Sequence, residues 1–102
     1  PTNPIHKRDV LIIYLTGLGD VNPPVAPGSP APGNPPSTVL TPATVSLGGV
    51  PLEVQFAGLS PGSVGLYQIN VVVPDYVPLG LQVPLTIAQG TFSTTFGVRV
   101  VN

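Results

Sequence analysis

Apolar and polar residues alternate along much of the chain with the period of a β-strand. In residues 65–74 (GLYQINVVVP) the apolar positions are Tyr67, Ile69, Val71 and Val73. Polar Gln68 and Asn70 lie between them, which indicates a strand that buries one face. Amphipathic helix spacing is not sustained in any window, and 12 glycines and 15 prolines interrupt most of the chain. The pattern therefore predicts an all-β protein.

Residues 41–58 have the pattern of a hairpin. Before Gly48-Gly49, Val45 and Leu47 alternate with polar residues, and the alternation resumes after it. The apolar positions of the return strand are Leu52, Val54 and Phe56. Two consecutive glycines supply the positive φ angles of a tight two-residue turn.

Residues 81–90 and 91–102 predict two further strands. In the first, Val83, Leu85 and Ile87 share one side, and Pro84 favours an edge or bulged strand. In the second, Phe92, Phe96, Val98 and Val100 are expected to face inward. Ser93, Thr95, Gly97 and Arg99 are expected to face outward, and Thr94 interrupts the inner row.

Residues 9–17 (DVLIIYLTG) are apolar on both faces, so we expect a strand covered on both sides or packed at a seam. The chain then holds six strand candidates at spacings typical of a β-sandwich. Two sheets stacked face to face would bury their apolar faces. The pattern predicts an immunoglobulin-like β-sandwich, with a small barrel as the alternative.

The length of 102 residues is that of one domain. We therefore predict a single domain over residues 1–102, with residues 1–8 as an N-terminal extension. Since the chain has neither cysteine nor methionine and starts with proline, we expect no disulfide and a processed or excised form of a longer product.

Charge is scarce, because only 7% of the residues are charged, against about 25% in an ordinary soluble domain. We expect hydroxyls and amides, attached glycans or neighbouring copies of the chain to cover such a surface. A net charge of −1 gives no electrostatic reason to expect nucleic acid. Apolar runs stay short of the roughly 20 residues that span a bilayer, so membrane insertion is not expected.

Three segments carry a family resemblance: residues 10–25 (VLIIYLTGLGDVNPPV), 45–74 (VSLGGVPLEVQFAGLSPGSVGLYQINVVVP) and 80–87 (GLQVPLTI). They resemble a large family of uncharacterised domains near the C-termini of secreted, paralogous acidobacterial proteins. That family is similar to the immunoglobulin-like domains shared by plexins and transcription factors. The resemblance implies an immunoglobulin-like fold, export from the cell and no catalytic residues.

Residues 21–37 hold seven of the 15 prolines. The resemblance implies that this stretch is internal to the domain, so we expect residues 21–40 to form one long ordered loop. A solvated linker is the alternative. Hydroxyls near prolines suit O-linked glycans, and the candidate sites are Ser29, Ser37, Thr38 and Thr41.

Residues that could carry chemistry are few. His6 is the only histidine, and it fits an exposed terminal residue better than a base or ligand. Asp20, Glu53 and Asp75 are the carboxylates beyond Asp9, with no aspartate-rich calcium loop. Residues 17–22 (GLGDVN) lack the G-x-G-x-x-G spacing and are better explained as turn glycines. We predict no catalytic residue, metal ligand or cofactor.

Two functions remain. The first is a non-catalytic structural or adhesive module outside the cell or on its surface, which contacts copies of itself or neighbouring domains and can build a filament. The alternative is a carbohydrate-binding module of a larger secreted protein, which needs at least two exposed rings. Tyr76, in an exposed loop, is the candidate glycan contact, whereas Tyr67 is expected in the core with its hydroxyl bonded at the rim.

Overall fold

The computed structural model describes residues 5–33 and 35–101, and these ranges contain ten strands and no helix. The strands are β1 (Ile5–His6), β2 (Val10–Leu15), β3 (Val21–Asn22), β4 (Thr38–Val39), β5 (Ala43–Leu47), β6 (Val50–Pro51), β7 (Glu53–Leu59), β8 (Tyr67–Val72), β9 (Gly80–Gln89) and β10 (Phe92–Val101). The six longest coincide with the six predicted strands.

The strands form two five-stranded sheets. Sheet A has the order β1-β10-β9-β5-β6, and sheet B has the order β2-β8-β7-β4-β3. β1 runs parallel to β10, and every other pairing is antiparallel. Since the two sheets share one buried core, the predicted β-sandwich is confirmed. The largest of its fully buried side chains are Leu18, Leu47, Ile69 and Ile87.

The strand order also agrees with the immunoglobulin-like arrangement. In such domains strands B, E and D are neighbours in one sheet, and strands C, F and G are neighbours in the other. Here β2, β8 and β7 correspond to strands B, E and D, and β5, β9 and β10 correspond to strands C, F and G. The alternation of apolar residues accounts for the two layers.

The predicted hairpin at Gly48-Gly49 is present but shorter than expected. Both glycines have positive φ, at 59° and 84°, and Leu47 pairs with Val50 across the turn. After Pro51 the chain leaves sheet A and continues as β7 in sheet B. Leu52 still donates its N–H to the Val45 carbonyl at 2.8 Å, and the chain then crosses to the other sheet.

Two expectations about burial were wrong. β2 is an edge strand of sheet B, and the outer side chains of Val10, Ile12 and Tyr14 are exposed instead of covered. Phe92 and Phe96 were expected to face inward; they lie on the core-facing side of sheet A, yet both are exposed. The outer residues of β2 are exposed because no described layer covers the outer face of sheet B, whereas the two rings of β10 lie beyond the end of the core.

The predicted N-terminal extension is partly built into the fold. Ile5 is buried and pairs with Val100, so β1 belongs to sheet A. Residues 1–4 of that extension lie outside the described residues.

The proline-rich segment of residues 21–40 leaves and re-enters sheet B. Its two ends pair with each other as β3 and β4. In its middle, buried Ala31 donates its N–H to the carbonyl of Ser63 at 2.9 Å and accepts from the N–H of Gly62 at 2.8 Å. The Ser37 hydroxyl donates to the Pro23 carbonyl at 2.6 Å. These bonds tie the described part of the segment to the sandwich.

Candidate binding surfaces

The first exposed surface is one side of β10. β9 pairs with β10 over its length, but among the described residues β1 covers the other side only at Val100 and Val101. Within residues 5–33 and 35–101, no strand pairs with residues 92–98 on that side, so no described residue bonds their backbone donors and acceptors there. We call residues 92–98 the open edge.

The side chains of the open edge include two uncovered aromatic rings. Phe96 lies opposite Leu85 and Thr94 opposite Ile87, and both partners are buried in the core. Directly opposite residues share a face, so Phe92, Thr94 and Phe96 lie on the core-facing side of sheet A. Phe92 is nevertheless 53% exposed and Phe96 is 44% exposed. The core of the sandwich thus ends before it reaches these rings.

The second surface is the outer face of sheet B. The strand register places Tyr14 of β2 beside Gln68 of β8, and Gly58 of β7 on the other side of Gln68. One row along, Asn70 lies between Ile12 and Phe56. We call this surface the β8 platform: Tyr14, Phe56, Gln68, Asn70 and Val72.

Phe56 reaches the outer face because of a β-bulge. The pairing of β7 with β8 shifts between Val54 and Phe56, so the extra residue Gln55 reverses the expected direction of the Phe56 side chain. Sequence alternation had placed Phe56 with Leu52 and Val54. The Phe56 ring lies over Gly58, where a Cβ would meet the ring at 2.9 Å. Glycine at position 58 therefore leaves room for the ring beside Gln68.

Two amide side chains form the centre of the β8 platform. Gln68 Nε2 donates to Asn70 Oδ1 at 2.8 Å, and both residues are half-buried. An amide carries two donor hydrogens and an oxygen with two lone pairs. Gln68 Oε1 and Asn70 Nδ2 are not used in this bond, so the pair presents an acceptor and a donor in fixed positions.

Tyr76, the predicted glycan contact, lies at one end of the same face. It is 74% exposed and, with Glu53, Val72 and Pro74, lines a depression of about 350 Å³. Glu53 and Val72 are paired across β7 and β8, so the depression continues the β8 platform. Tyr76 is therefore not an isolated ring, because the bulge and the register bring Phe56 and Tyr14 to the same face.

A cavity of about 580 Å³ lies between the proline-rich segment and sheet B. Asp20, Asn22 and Tyr67 line it together with backbone of the segment. The Tyr67 hydroxyl donates to the Gly19 carbonyl at 2.5 Å, which confirms the expected bond at the rim. Gly17 and Gly19 both have φ of 84°, in agreement with their interpretation as turn residues.

The titratable side chains are spread over the surface. His6 Nδ1 lies 3.6 Å from Asp9 Oδ2, and Arg8 Nη1 lies 3.1 Å from Asp75 Oδ1 in an exposed ion pair. Glu53 and Asp20 line different depressions. Within residues 5–33 and 35–101, no three His, Cys, Asp or Glu side chains are grouped so that they could hold a metal ion. The same ranges contain no helix capable of spanning a membrane.

The predicted glycosylation sites differ in access. Ser37 is 0% exposed and its hydroxyl is bonded to Pro23, so it is inaccessible in the folded domain and leaves the set. Thr38 and Thr41 are exposed and Ser29 is half-buried. Glycosylation at Ser29, Thr38 and Thr41 stays a prediction.

Comparisons with protein-family models, with curated proteins and with solved structures find no match to this chain. The family resemblance therefore stays a prediction.

Proposed function

We propose that this domain is a non-catalytic structural or adhesive module, placed outside the cell or on its surface, that associates with copies of itself through the open edge. The observation that carries the proposal is the exposure of Phe92 and Phe96 on the core-facing side of the open edge. Apolar rings in that position contact water only until another strand covers them.

The open edge has none of the usual features that prevent strand pairing. Edge strands commonly carry lysine, another charge or proline, each of which discourages the addition of a further strand. Residues 92–98 (FSTTFGV) contain no charged residue and no proline. The low charge of the whole chain points the same way, because it leaves little like-charge repulsion between copies.

The pairing geometry of the open edge favours a second copy as the occupant. In a hairpin with a two-residue turn, the two residues that flank the turn form a hydrogen-bonded pair. Along the ladder, hydrogen-bonded pairs then alternate with non-hydrogen-bonded pairs. Phe92 pairs with Gln89 beside the turn, so the N–H groups of Ser93, Thr95 and Gly97 point away from β9. None of the described strands pairs with β10 at these groups, so another strand can bond them.

In an antiparallel pairing that places Thr94 opposite Thr94 of a second copy, these N–H groups form hydrogen bonds between the copies. Ser93 then exchanges hydrogen bonds with Thr95 of the second copy, and Phe92 lies opposite Phe96 of the second copy. Phe92 and Phe96 form non-hydrogen-bonded pairs in this register, where side chains approach most closely. Each interface would contain two aromatic pairs. In the part of the chain that the structure describes, β1 pairs only with Val100 and Val101, which lie beyond the paired stretch.

Sedimentation velocity over a range of protein concentrations tests the proposal with two lysine variants. We expect the unaltered chain to increase in mass with concentration, and Phe96→Lys to raise the dissociation constant at least about a hundredfold. Val64→Lys is the matched control, because Val64 is exposed to a similar degree in a loop and should keep the original behaviour.

Two results would contradict the proposal: an unaltered chain that stays monomeric at every concentration, or equal effects of Phe96→Lys and Val64→Lys. Electron microscopy of the same samples identifies the form of the assembly. Pairing of the open edge with itself closes after two copies, whereas a filament requires the edge to meet a different surface of the next copy.

A further inference from the structure

We propose that the β8 platform binds a neutral, extended polysaccharide whose sugar rings lie along β8. This inference goes beyond self-association, because it concerns the outer face of sheet B and uses none of the residues of the open edge.

The arrangement of rings and amides is that of a sugar-binding surface. Tyr14 of β2 lies beside Gln68, and Phe56 of β7 lies beside Asn70 on the other side of β8. Each neighbouring strand is about 4.8 Å away from β8. Ligand sites commonly combine apolar and aromatic walls with a few fixed polar groups. A sugar ring matches this combination, because its C–H faces pack on aromatic rings while its hydroxyls reach sideways.

The polar groups of the β8 platform suit hydroxyls. The hydrogen bond between Gln68 and Asn70 holds both amides in place and leaves Gln68 Oε1 as an acceptor and Asn70 Nδ2 as a donor. A hydroxyl can both donate and accept, so one sugar unit can satisfy the two amides. A purely apolar protein partner would instead leave them without bonds, at a cost in affinity.

The length of the surface favours a chain and not a single sugar. Outward residues Gln68, Asn70 and Val72 cover about 13 Å of β8, and Tyr76 with its depression extends the surface beyond Val72. Tyr14 is 57% exposed and Tyr76 is 74% exposed, so both rings are accessible to a ligand of this length.

Charge complementarity selects a neutral ligand. Over its paired rows the outer face of sheet B carries one charged side chain, Glu53, at the end near Tyr76. Near Tyr76, Arg8 and Asp75 neutralise each other in an ion pair, so a polyanion such as a uronic acid polymer would meet the Glu53 carboxylate without an unpaired cation beside it. An uncharged polysaccharide fits the platform without burying any unpaired charge.

Affinity electrophoresis of the full chain tests the inference. The gels contain, one at a time, hydroxyethylcellulose, xylan, galactomannan, soluble starch or, as the polyanion, polygalacturonate. We expect at least one neutral polymer to retard the chain. Tyr14→Ala and Gln68→Ala should each weaken the interaction about fivefold or more. Both positions are accessible, so neither substitution removes a core side chain.

Phe92→Ala is the matched control, since it removes an exposed ring from the open edge and leaves the β8 platform intact. It should weaken self-association and keep polysaccharide binding. The inference is overturned if no neutral polymer retards the chain, if retardation is unchanged in Tyr14→Ala and Gln68→Ala, or if only polygalacturonate binds. It is also overturned if Tyr14→Ala alters the mass in sedimentation without altering retardation, because the platform would then be a protein interface.

Discussion

At the scale of single residues, the side chain of Ser37 stabilises the base of the proline-rich segment. Ser37 is fully buried, and its hydroxyl donates to the carbonyl of Pro23 across the base of the proline-rich segment. Serine there was expected to be a surface hydroxyl available for a glycan. In the structure the Ser37 hydroxyl instead provides the hydrogen-bond donor for the Pro23 carbonyl, because the adjacent prolines have no N–H to donate.

The substitution Ser37→Ala should therefore destabilise the domain by about 1–3 kcal/mol, because it leaves the Pro23 carbonyl without its bond. Urea unfolding followed by far-ultraviolet circular dichroism measures the change. Thr41→Ala is the control, since Thr41 is exposed and should shift the midpoint little. Equal midpoints for Ser37→Ala and the unaltered chain would show that water replaces the hydroxyl bond at no cost.

The strands are the elements that could be predicted best. Alternation over residues 65–74 fixed the buried face of β8, and Ile69 and Val71 are fully buried as expected. The position of a strand within its sheet could not be predicted from alternation. The apolar pattern of β2 is compatible with a central or an edge strand, and only tertiary pairing makes it an edge. For this reason the exposure of Tyr14 and of the open edge could not be predicted.

The β8 platform was missed for a related reason. Its Phe56 faces outward only because one extra residue, Gln55, is accommodated as a bulge opposite β8. A bulge shifts every later side chain by one position, and neither Gln55 nor its direct neighbours is a glycine or proline that would have marked it. Gly58 was the one available signal, since glycine inside a strand often indicates a close approach.

The turn between β5 and β6 offers a test at the scale of an element. A Cβ on Gly48 would overlap the ring of Pro78, whereas a Cβ on Gly49 would meet nothing within 4 Å. Both glycines have positive φ, so each alanine substitution costs about 1–2 kcal/mol of backbone strain. Gly48→Ala carries the additional overlap, which typically adds about 1–3 kcal/mol.

We therefore expect Gly48→Ala to lower the urea midpoint clearly more than Gly49→Ala does. The two variants are each other's control, because they differ only in what surrounds the added methyl group. Similar midpoints would mean that the loop carrying Pro78 moves away freely, and that this loop does not pack on the turn as described.

At the scale of the whole molecule, the open edge and the β8 platform lie on different sheets of the sandwich. The open edge lies on sheet A and exposes apolar rings beside free backbone groups, whereas the β8 platform lies on the outer face of sheet B and combines rings with amides. Because the surfaces are separate, the two proposed interactions are compatible with each other. Neither proposed interaction requires an ionic partner, which agrees with the scarcity of charge.

Hydrogen exchange at the amides of β10, measured by nuclear magnetic resonance at low and high protein concentration, tests self-association through the open edge most directly. The N–H groups of Ser93, Thr95 and Gly97 should exchange quickly in dilute samples and slow down as copies associate. Those of Phe92, Thr94 and Phe96, which bond to β9, provide the internal reference. If the amides of Ser93, Thr95 and Gly97 exchange at the same rate at every concentration, the open edge is not where copies of this domain meet.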